Sequence, residues 1–375
     1  MGNLLIVNSV SSEPALLIPS QSDSESEEEH DICRAQNAPN LIQNPSFEGN
    51  YGEYVPEEPI DDCRFGVCQT AQIPQEGGWI PFWRSHDDND PGFIIRQPEY
   101  KPACVGTDPC VFANRLRDGK EAQQYFTFFS THEAGIMQSV EVIPGLTYCL
   151  SGWGHSWSAQ DDDDAISGPE DGQLHQKVGI DPTGGTDWMS EDIVWSDQDV
   201  HPLGRIQYDE YGLFTVTQKT DSSKVSVYFY SQPEFAVKHN NVYWDDTYLG
   251  VVGPTHLASI TKTADINVLT DISNTVQASQ TIKLSLVGYG STVSHTWSAT
   301  ISPTNSLTPV LSSTTGSITD TLTISVDSTG LNVGSYSADI TLTISPETAT
   351  DSFTIPVRVV VADKVYQTFL PIVLR

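Results

Sequence analysis

The amino-acid sequence predicts an all-β protein made of two consecutive antiparallel β-sandwiches. From Asn40 onward, short apolar or alternating stretches are separated by clusters of Gly, Pro, Asn and Asp, which is the pattern of strands joined by turns. No stretch shows the helical spacing of apolar side chains. After Gly253-Pro254 the composition shifts to Thr, Ser, Val and Ile, so a second domain begins there. A chain of 375 residues can hold two domains with separate cores.

We predict four segments along the chain. Residues 1–38 include the acidic run SDSESEEEHD, which has too little apolar surface to fold and is expected to be a disordered lead-in. Residues 39–253 form the first sandwich and residues 254–363 the second. Residues 364–375 form an apolar tail that is too short to span a bilayer. We expect this tail to add an edge strand or to dock on a cell-surface partner or another copy.

Alternation and turn signals place the strands of each domain. A long, Pro-rich and cysteine-bearing region precedes residue 124, and a loop of that length is expected to be stapled or functional. The predicted strands of the first domain span residues 124–130, 135–142, 146–157, 174–180, 212–217, 225–231 and 240–249. Those of the second domain span residues 258–268, 281–287, 292–300, 321–326, 334–344 and 351–361.

The charge of the chain excludes some classes of partner. Lys and Arg number 18 against 49 Asp and Glu, and the net charge of −31 argues against nucleic acid, whose phosphates require a basic surface. An anionic membrane surface would also repel the chain. Residues from Pro254 onward carry 5 basic and 8 acidic side chains, so the first part carries a net charge of −28. These acids form a solvated surface, or some of them gather Ca²⁺, and the sequence leaves both interpretations open.

An even number of cysteines in the first domain predicts disulfides. All six precede residue 150: Cys33, Cys63, Cys68, Cys104, Cys110 and Cys149. Cys63 with Cys68 and Cys104 with Cys110 would close short loops and leave Cys33 to pair with Cys149, one of fifteen possible connectivities. Zinc is disfavoured because the spacings lack a tight C-x-x-C knuckle. Disulfides indicate an oxidising, extracytoplasmic location.

The amino terminus gives no independent sign of export. Its first residues, MGNLLIVNSVSSEPALLIPS, lack the basic region and the long apolar run of a recognisable signal peptide. The expected location, outside the cell or on its surface, therefore depends on the cysteines.

The stretch TYCLSGWGHSW, residues 147–157, carries the most informative alternation. One face presents Cys149, Ser151, Trp153, His155 and Trp157, and the other face Tyr148, Leu150 and Gly152. Trp153 and Trp157 would stand roughly 13 Å apart, a span that brackets two or three sugar rings. Flat aromatic rings flanked by polar side chains suit the apolar faces and hydroxyl rims of sugars. The alternative is that both tryptophans are core residues at the edge of the sandwich.

Two distant stretches are expected to close the first domain. Residues 40–49, NLIQNPSFEG, open it, and residues 238–249, KHNNVYWDDTYL, end it with paired carboxylates. This pair resembles the first and last strands of galactose-binding-like jelly rolls, which lie side by side and in many carbohydrate-binding modules hold a structural calcium. The resemblance implies a Ca²⁺ site formed by Glu48 with Asp245 or Asp246, whose hard oxygens suit the ion.

The order of motifs between these stretches carries the same resemblance. GKEA, GIMQSV, PGLTYCLSGW and NNVYWDD follow one another around aromatic strands, as in the carbohydrate-binding module families with a jelly-roll fold. The likeness covers residues 40–249 and implies an N-terminal antiparallel jelly roll that binds polysaccharide or another glycan on its concave sheet face or at edge loops. By position, it implies a ligand site formed by Trp83, Arg115, Gln124, Trp153, His155 and Trp157. The cysteine loops and the insertions DDNDPG and DDDD depart from those families.

The second domain resembles a different kind of module. Trp297, followed by LTISVDSTGL and VGSYSADI, resembles the immunoglobulin-like sandwiches, such as the BACON domain, that are appended to bacterial carbohydrate-active proteins. The resemblance implies a C-terminal immunoglobulin-like β-sandwich that acts as a spacer.

These features favour binding over catalysis. The chain contains no nucleophile elbow, HExxH motif, Walker loop or dinucleotide fingerprint, although a glycosidase carboxylate pair has no local signature. The first hypothesis is a non-catalytic, secreted, calcium-stabilised protein that binds glycans. The second is a structural subunit of a cell-surface layer or extracellular filament, which the lack of internal repeats does not favour.

Overall fold

The structure, a computed structural model, describes residues 31–55, 70–85, 95–103, 115–161, 166–167, 171–197, 209–290, 294–346 and 348–365. Within these ranges the regular structure is β-strand apart from one short 3₁₀ turn, Ile32–Arg34, which confirms the predicted all-β class. No helix long and apolar enough to cross a membrane occurs in the same ranges. The acidic run before residue 31 and the last ten residues lie outside them.

The strands form two groups that divide between Val252 and His256. The first group comprises β1 (Tyr51–Glu53), β2 (Gln72–Pro74), β3 (Ile80–Trp83), β4 (Glu99–Pro102), β5 (Gln123–Thr127), β6 (Ala134–Glu141), β7 (Thr147–Ala159), β8 (Leu174–Asp181), β9 (Val194–Trp195), β10 (Gly212–Lys219), β11 (Lys224–Pro233) and β12 (His239–Val252). The second comprises β13 (His256–Lys262), β14 (Ile266–Asp271), β15 (Gln277–Gly288), β16 (Thr296–Thr304), β17 (Val310–Leu311), β18 (Thr315–Ser317), β19 (Thr321–Asp327), β20 (Gly334–Ser345) and β21 (Ser352–Ala362).

The first domain is a sandwich of two five-stranded antiparallel sheets. The front sheet has the order β10-β7-β12-β5-β4, and the back sheet has the order β3-β6-β11-β8-β9. Aromatic rings fill the space between them: the ring of Trp244 lies 5.4 Å from that of Phe214 and 5.3 Å from that of Phe229. The inner face of β7 makes room for these rings with glycine, because a Cβ on Gly152 would lie 2.4 Å from Phe229 and one on Gly154 would lie 2.9 Å from Trp244.

The opening segment of the domain runs along β12, as expected, but not as a regular strand. The Leu41 N–H donates to the Leu249 carbonyl at 2.8 Å, and the Thr247 N–H donates to the Pro45 carbonyl at 2.9 Å. Regular pairing stops there because Pro45 has no N–H and because Asn44 and Phe47 adopt positive φ angles of 50° and 55°. Two ends of the domain's sequence are therefore held side by side.

One predicted disulfide lies within the described residues. Cys33 on the 3₁₀ turn is bonded to Cys149 on β7, with a Cα–Cα distance of 5.2 Å. The pairing of Cys63, Cys68, Cys104 and Cys110 stays a prediction, because these four residues lie outside the described ranges.

The second domain is also a sandwich, with one sheet in the order β13-β15-β19-β17 and the other in the order β14-β21-β20-β16-β18. Strand β14 pairs parallel to β21, whereas the other pairings are antiparallel. The buried Trp297 donates its indole N–H to the Ser317 carbonyl at 2.8 Å. Gly316 lets the indole approach, because a Cβ there would lie 2.5 Å from the ring. The proposed likeness to the BACON domain stays a prediction.

A buried histidine in the first domain predicts acid sensitivity. His132 is fully buried between Thr127 Oγ1 at 3.1 Å and Ser231 Oγ at 3.0 Å, and burial lowers its pKa from 6.5 to about 3. As pH falls below 6.5, His132 becomes protonated in the unfolded chain but stays neutral in the folded chain, so stability present at neutral pH is lost. We expect His132 to reduce the free energy of unfolding by up to about 3 kcal/mol at pH 4.5 relative to pH 7.

Urea denaturation of the wild type and His132→Gln at both pH values measures this effect. His155 titrates in the same direction, so the relevant quantity is the difference between the two proteins. An equal loss of stability in both would contradict the assignment to His132.

The Cys33–Cys149 bond joins residues separated by 116 positions. A cross-link of that span restricts the unfolded chain strongly, so the double variant Cys33→Ala/Cys149→Ala should lose about 2–5 kcal/mol of unfolding free energy. Urea denaturation under non-reducing conditions measures the loss. A double variant as stable as the wild type would show that the bond does not stabilise the fold.

Candidate functional site

The outer face of the front sheet carries aromatic and polar side chains from three adjacent strands. Strand register sets His155 of β7 opposite Tyr243 of β12, and Tyr243 opposite Gln124 of β5. One step along, Trp157 lies opposite Asn241. We call this surface the tryptophan face and define it by Gln124, Trp153, His155, Trp157, Asn241 and Tyr243. The structure thus brings together four of the predicted ligand residues of the sheet: Gln124, Trp153, His155 and Trp157.

Residues 115–121, which we call the arginine strap, lie over this face. The Arg117 guanidinium carbon is 3.6 Å from the centroid of the Trp153 ring, and that of Arg115 is 4.5 Å from the Trp157 centroid and 5.5 Å from the Tyr243 centroid. The two tryptophans are only 5% and 7% exposed, and Trp157 also packs against His239 and in a cluster with Tyr211. Neither is a core residue between the sheets. Each instead forms a cation–π pair on the outer face.

Sequence reasoning named Arg115 as a ligand residue but missed Arg117. The pattern Arg115-Leu116-Arg117 contained a signal, because residues two apart in an extended chain point to the same side. What the pattern could not show is that this side would face the indole rings.

The carboxylates predicted to bind calcium hold the arginine strap. Asp245 Oδ2 accepts the N–H groups of Arg117 at 2.8 Å and Asp118 at 2.9 Å. Glu48 Oε1 accepts those of Lys120 at 2.6 Å and Glu121 at 3.0 Å. Glu48 and Asp245, nearly two hundred residues apart in sequence, therefore bind the same seven-residue segment.

Asp246 is placed apart from the strap. Its backbone has a φ of 46°, and its Oδ1 accepts a hydrogen bond from Arg34 Nη2 at 2.6 Å. The bulge that interrupts the pairing of β12 with β7 lies at this point, between Asp245 and Tyr248, and it turns the second carboxylate towards the 3₁₀ turn.

The donor set fits a hard cation in chemistry but not in grouping. Burial raises the pKa of the Asp245 carboxyl from 3.8 to about 7, against the lowering effect of its backbone hydrogen bonds. Burial also raises the pKa of Glu121. Burial thus disfavours the charged form of both carboxyls, and oxygen ligands of this kind suit Ca²⁺. However, within the described ranges no three acidic, histidine or cysteine side chains are grouped closely enough to hold a metal ion.

Several buried polar atoms of the tryptophan face are unsatisfied. They are Trp157 Nε1, Asn241 Nδ2 and both ring nitrogens of His155, and none has a hydrogen-bond partner of normal geometry among the described residues. The Asp209 backbone approaches the His155 ring without reaching that geometry. Burial, followed by the charge of Arg115, lowers the pKa of His155 to about 3, so this imidazole is neutral at physiological pH.

The remaining predicted ligand residue, Trp83, lies elsewhere. It belongs to β3 at the edge of the back sheet, and its ring packs 6.2 Å from that of Tyr100. It is therefore separated from the tryptophan face. Its position in sequence, within a region of aromatic residues before the first predicted strand, gave no information about which sheet it would join.

A second aromatic cluster was also missed. Phe82, Trp188, Trp195, Tyr228 and Tyr230 pack on the outer face of the back sheet, with Lys177 Nζ 4.4 Å from the Trp195 centroid. A Cβ on Gly179 would lie 2.6 Å from the Trp195 ring, so glycine is what allows this indole to lie flat on β8. The sequence signal was the glycine at an alternating position of that strand.

Three solved structures are among those that resemble part of this chain. TmCBM61 in complex with β-1,4-galactotriose is 15% identical, with a TM-score of 0.33, and the match covers 57% of this chain and 100% of that one. A family 16 carbohydrate-binding module is 16% identical, with a TM-score of 0.21, and the match covers 36% of this chain and 79% of that one. A CBM4 structure is 13% identical, with a TM-score of 0.22, and the match covers 36% of this chain and 74% of that one. All three are carbohydrate-binding modules. Likenesses at this level carry no inference about ligand. No family model and no curated protein matches the chain.

Proposed function

We propose that this protein is a non-catalytic, extracellular glycan-binding protein whose binding surface is the tryptophan face. The observation that carries the proposal is the coincidence of flat indole rings with unsatisfied buried polar atoms on one sheet face, at Trp157, His155 and Asn241. Sugars require this combination, because their C–H faces pack on aromatic rings while their hydroxyls need hydrogen-bond partners.

Binding rather than hydrolysis is proposed because of how the carboxylate of this face is used. A glycosidase needs two accessible carboxyl groups roughly 5–10 Å apart. Asp245, which lies opposite Trp153, has both oxygens engaged: Oδ1 accepts the Asp246 N–H at 2.7 Å, and Oδ2 accepts the two strap N–H groups. It is a structural acceptor that is poorly placed to transfer a proton.

An extracellular or cell-surface location is part of the proposal. It is supported by the Cys33–Cys149 disulfide, because disulfides form and persist mainly in oxidising compartments. The second sandwich would then act as a spacer that holds the binding domain away from its attachment point.

We predict that Trp153→Ala and Trp157→Ala each weaken glycan binding by about tenfold or more, because each removes a ring face on which a sugar stacks. Affinity electrophoresis through gels containing plant and bacterial polysaccharides measures retention, and circular dichroism checks the fold. Trp188→Ala removes a tryptophan from the back sheet and serves as the matched control. Unchanged retention of both variants on every polysaccharide that retains the wild type would refute the proposal.

A structural calcium is also proposed, with Glu48 and Asp245 as its ligands. We expect Ca²⁺ to raise the melting temperature of the EGTA-treated protein by several degrees, because the ion would compensate buried carboxylates. The double variant Glu48→Gln/Asp245→Asn should show no such increase. A wild type whose melting temperature is the same in EGTA and in Ca²⁺ would mean that the two carboxylates serve only to accept the strap N–H groups.

A further inference from the structure

The unsatisfied atoms of the tryptophan face are mostly donors. Trp157 Nε1 and Asn241 Nδ2 can only donate hydrogen bonds, and a neutral His155 adds one donor and one acceptor. Trp157 and Asn241 are more than nine-tenths buried, and His155 is fully buried. The Asn241 carbonyl oxygen is already engaged, because it accepts from Gln124 Nε2 at 2.8 Å. A ligand that satisfies this face must therefore supply more acceptors than donors.

Positive charge accompanies these donors. Arg115 and Arg117 contact the two tryptophan rings, in a first part of the chain that holds only 13 basic residues against 41 acidic ones. Arg117 is exposed, and its guanidinium makes no ion pair with any carboxylate in the described part of the chain. In a protein of net charge −31, the two arginines on the indole rings place positive charge at this face.

The nearby acids do not neutralise Arg117. Asp245 is directed at strap N–H groups, and Asp118 Oδ2 accepts a hydrogen bond from Ser46 Oγ at 2.9 Å. Burial raises the pKa of Asp209, and the charge of Arg115 opposes that rise. The carboxylate oxygens of Asp209 accept hydrogen bonds from Ser167. Arg115 is thus partly compensated, whereas Arg117 is available to a ligand.

We infer that the glycan bound by the tryptophan face carries oxyanions, as in the carboxylate of a uronic acid or a sulfate ester, and that Arg117 recognises them. This inference rests on the proposed function and adds the class of glycan. A guanidinium matches a carboxylate or sulfate with two parallel N–H···O bonds, and such charge-assisted bonds are stronger than those to hydroxyls. Ionised carboxylates and sulfates only accept hydrogen bonds, whereas each neutral hydroxyl also brings an O–H donor that needs an acceptor, and this face offers few acceptors.

The cation–π contact gives a route for the ligand to enter. Arg117 is on the solvent side of Trp153, so its side chain can leave the ring without disturbing the strap, which is held by backbone hydrogen bonds. An oxyanion would draw the guanidinium away and expose the indole face to the sugar ring. One movement then provides both the charged contact and the stacking surface.

Isothermal titration of the full chain against oligosaccharides of equal length tests this inference. The set contains an oligouronate, its neutral methyl ester, a sulfated galactan fragment and the same fragment without sulfate. We expect at least one acidic ligand to bind about tenfold or more tightly than its neutral counterpart. The two acidic ligands distinguish carboxylate from sulfate. Non-specific attraction is not a concern, because the net charge of the protein repels both of them.

Variants locate the effect. Arg117→Gln should reduce binding of the acidic ligand about tenfold, to the level of its neutral counterpart, and Arg117→Lys should recover part of the loss. Trp157→Phe keeps the ring and removes the donor, and should also weaken binding by about tenfold. Two control variants should bind as the wild type does. Lys219→Gln removes one positive charge, as Arg117→Gln does, but on β10, and Trp188→Phe replaces an indole that packs on the back sheet.

The outcomes separate the inference from the proposed function. Neutral ligands that bind as tightly as acidic ones would overturn the inference and leave glycan binding intact. Acidic ligands that bind more tightly but are insensitive to Arg117→Gln would overturn the role of Arg117. Failure of every neutral and acidic glycan to bind would overturn both.

Discussion

The first domain depends on backbone N–H groups that donate to two buried or half-buried carboxylates. Asp245, at the end of β12, holds the strap at Arg117 and Asp118, and Glu48, in the opening segment, holds it at Lys120 and Glu121. Asp245 lies opposite Trp153 in the sheet, so a residue pinned to Asp245 by its N–H has its side chain within reach of the Trp153 ring. Glu48 and Asp245 thereby fix the position of the segment that carries Arg115 and Arg117. Both carboxylates hold the strap in place through these hydrogen bonds, and the calcium predicted for them stays a prediction.

This constraint connects closure of the domain to the tryptophan face. Glu48 reaches the strap because residues 40–45 are hydrogen-bonded along β12, and the disulfide from Cys33 to β7 fixes the chain just upstream. The tryptophan face is formed by β7, β12 and β5, which are neighbours in the front sheet although they are distant in sequence. Glu48 and Asp245 therefore connect the opening segment and β12 to the strap through hydrogen bonds between side-chain carboxylates and backbone N–H groups.

The parts of the fold that follow from local chemistry were readable in the sequence, and the parts that follow from packing were not. Alternation placed Trp153, His155 and Trp157 on one face because the two-residue period of a strand needs no tertiary information. The turn-rich, helix-free pattern likewise gave the all-β class. The sequence could not show that Trp83 lies in the back sheet, because strand order in a sheet is set by long-range pairing. Asp246 was grouped with Asp245 because a bulge that separates neighbouring side chains leaves no signature in composition. Arg117 was missed because the contact between its guanidinium and the Trp153 ring depends on tertiary structure.

The energetics of the tryptophan face explain why a cover of arginines is compatible with binding. A buried donor without a partner is unfavourable by about 1–3 kcal/mol, whereas a cation–π contact at a partly exposed site contributes about 0.5–2 kcal/mol. Trp157 Nε1 and Asn241 Nδ2 together therefore make the unliganded face less stable by an amount comparable to what both arginine contacts supply. A ligand that supplies acceptors to those donors would remove the unfavourable energy of the unpaired donors. If the ligand also offers an anion to the guanidinium, the new ion pair would replace the energy of the lost cation–π contact. The free energy of binding would then favour acceptor-rich, charged sugars in particular.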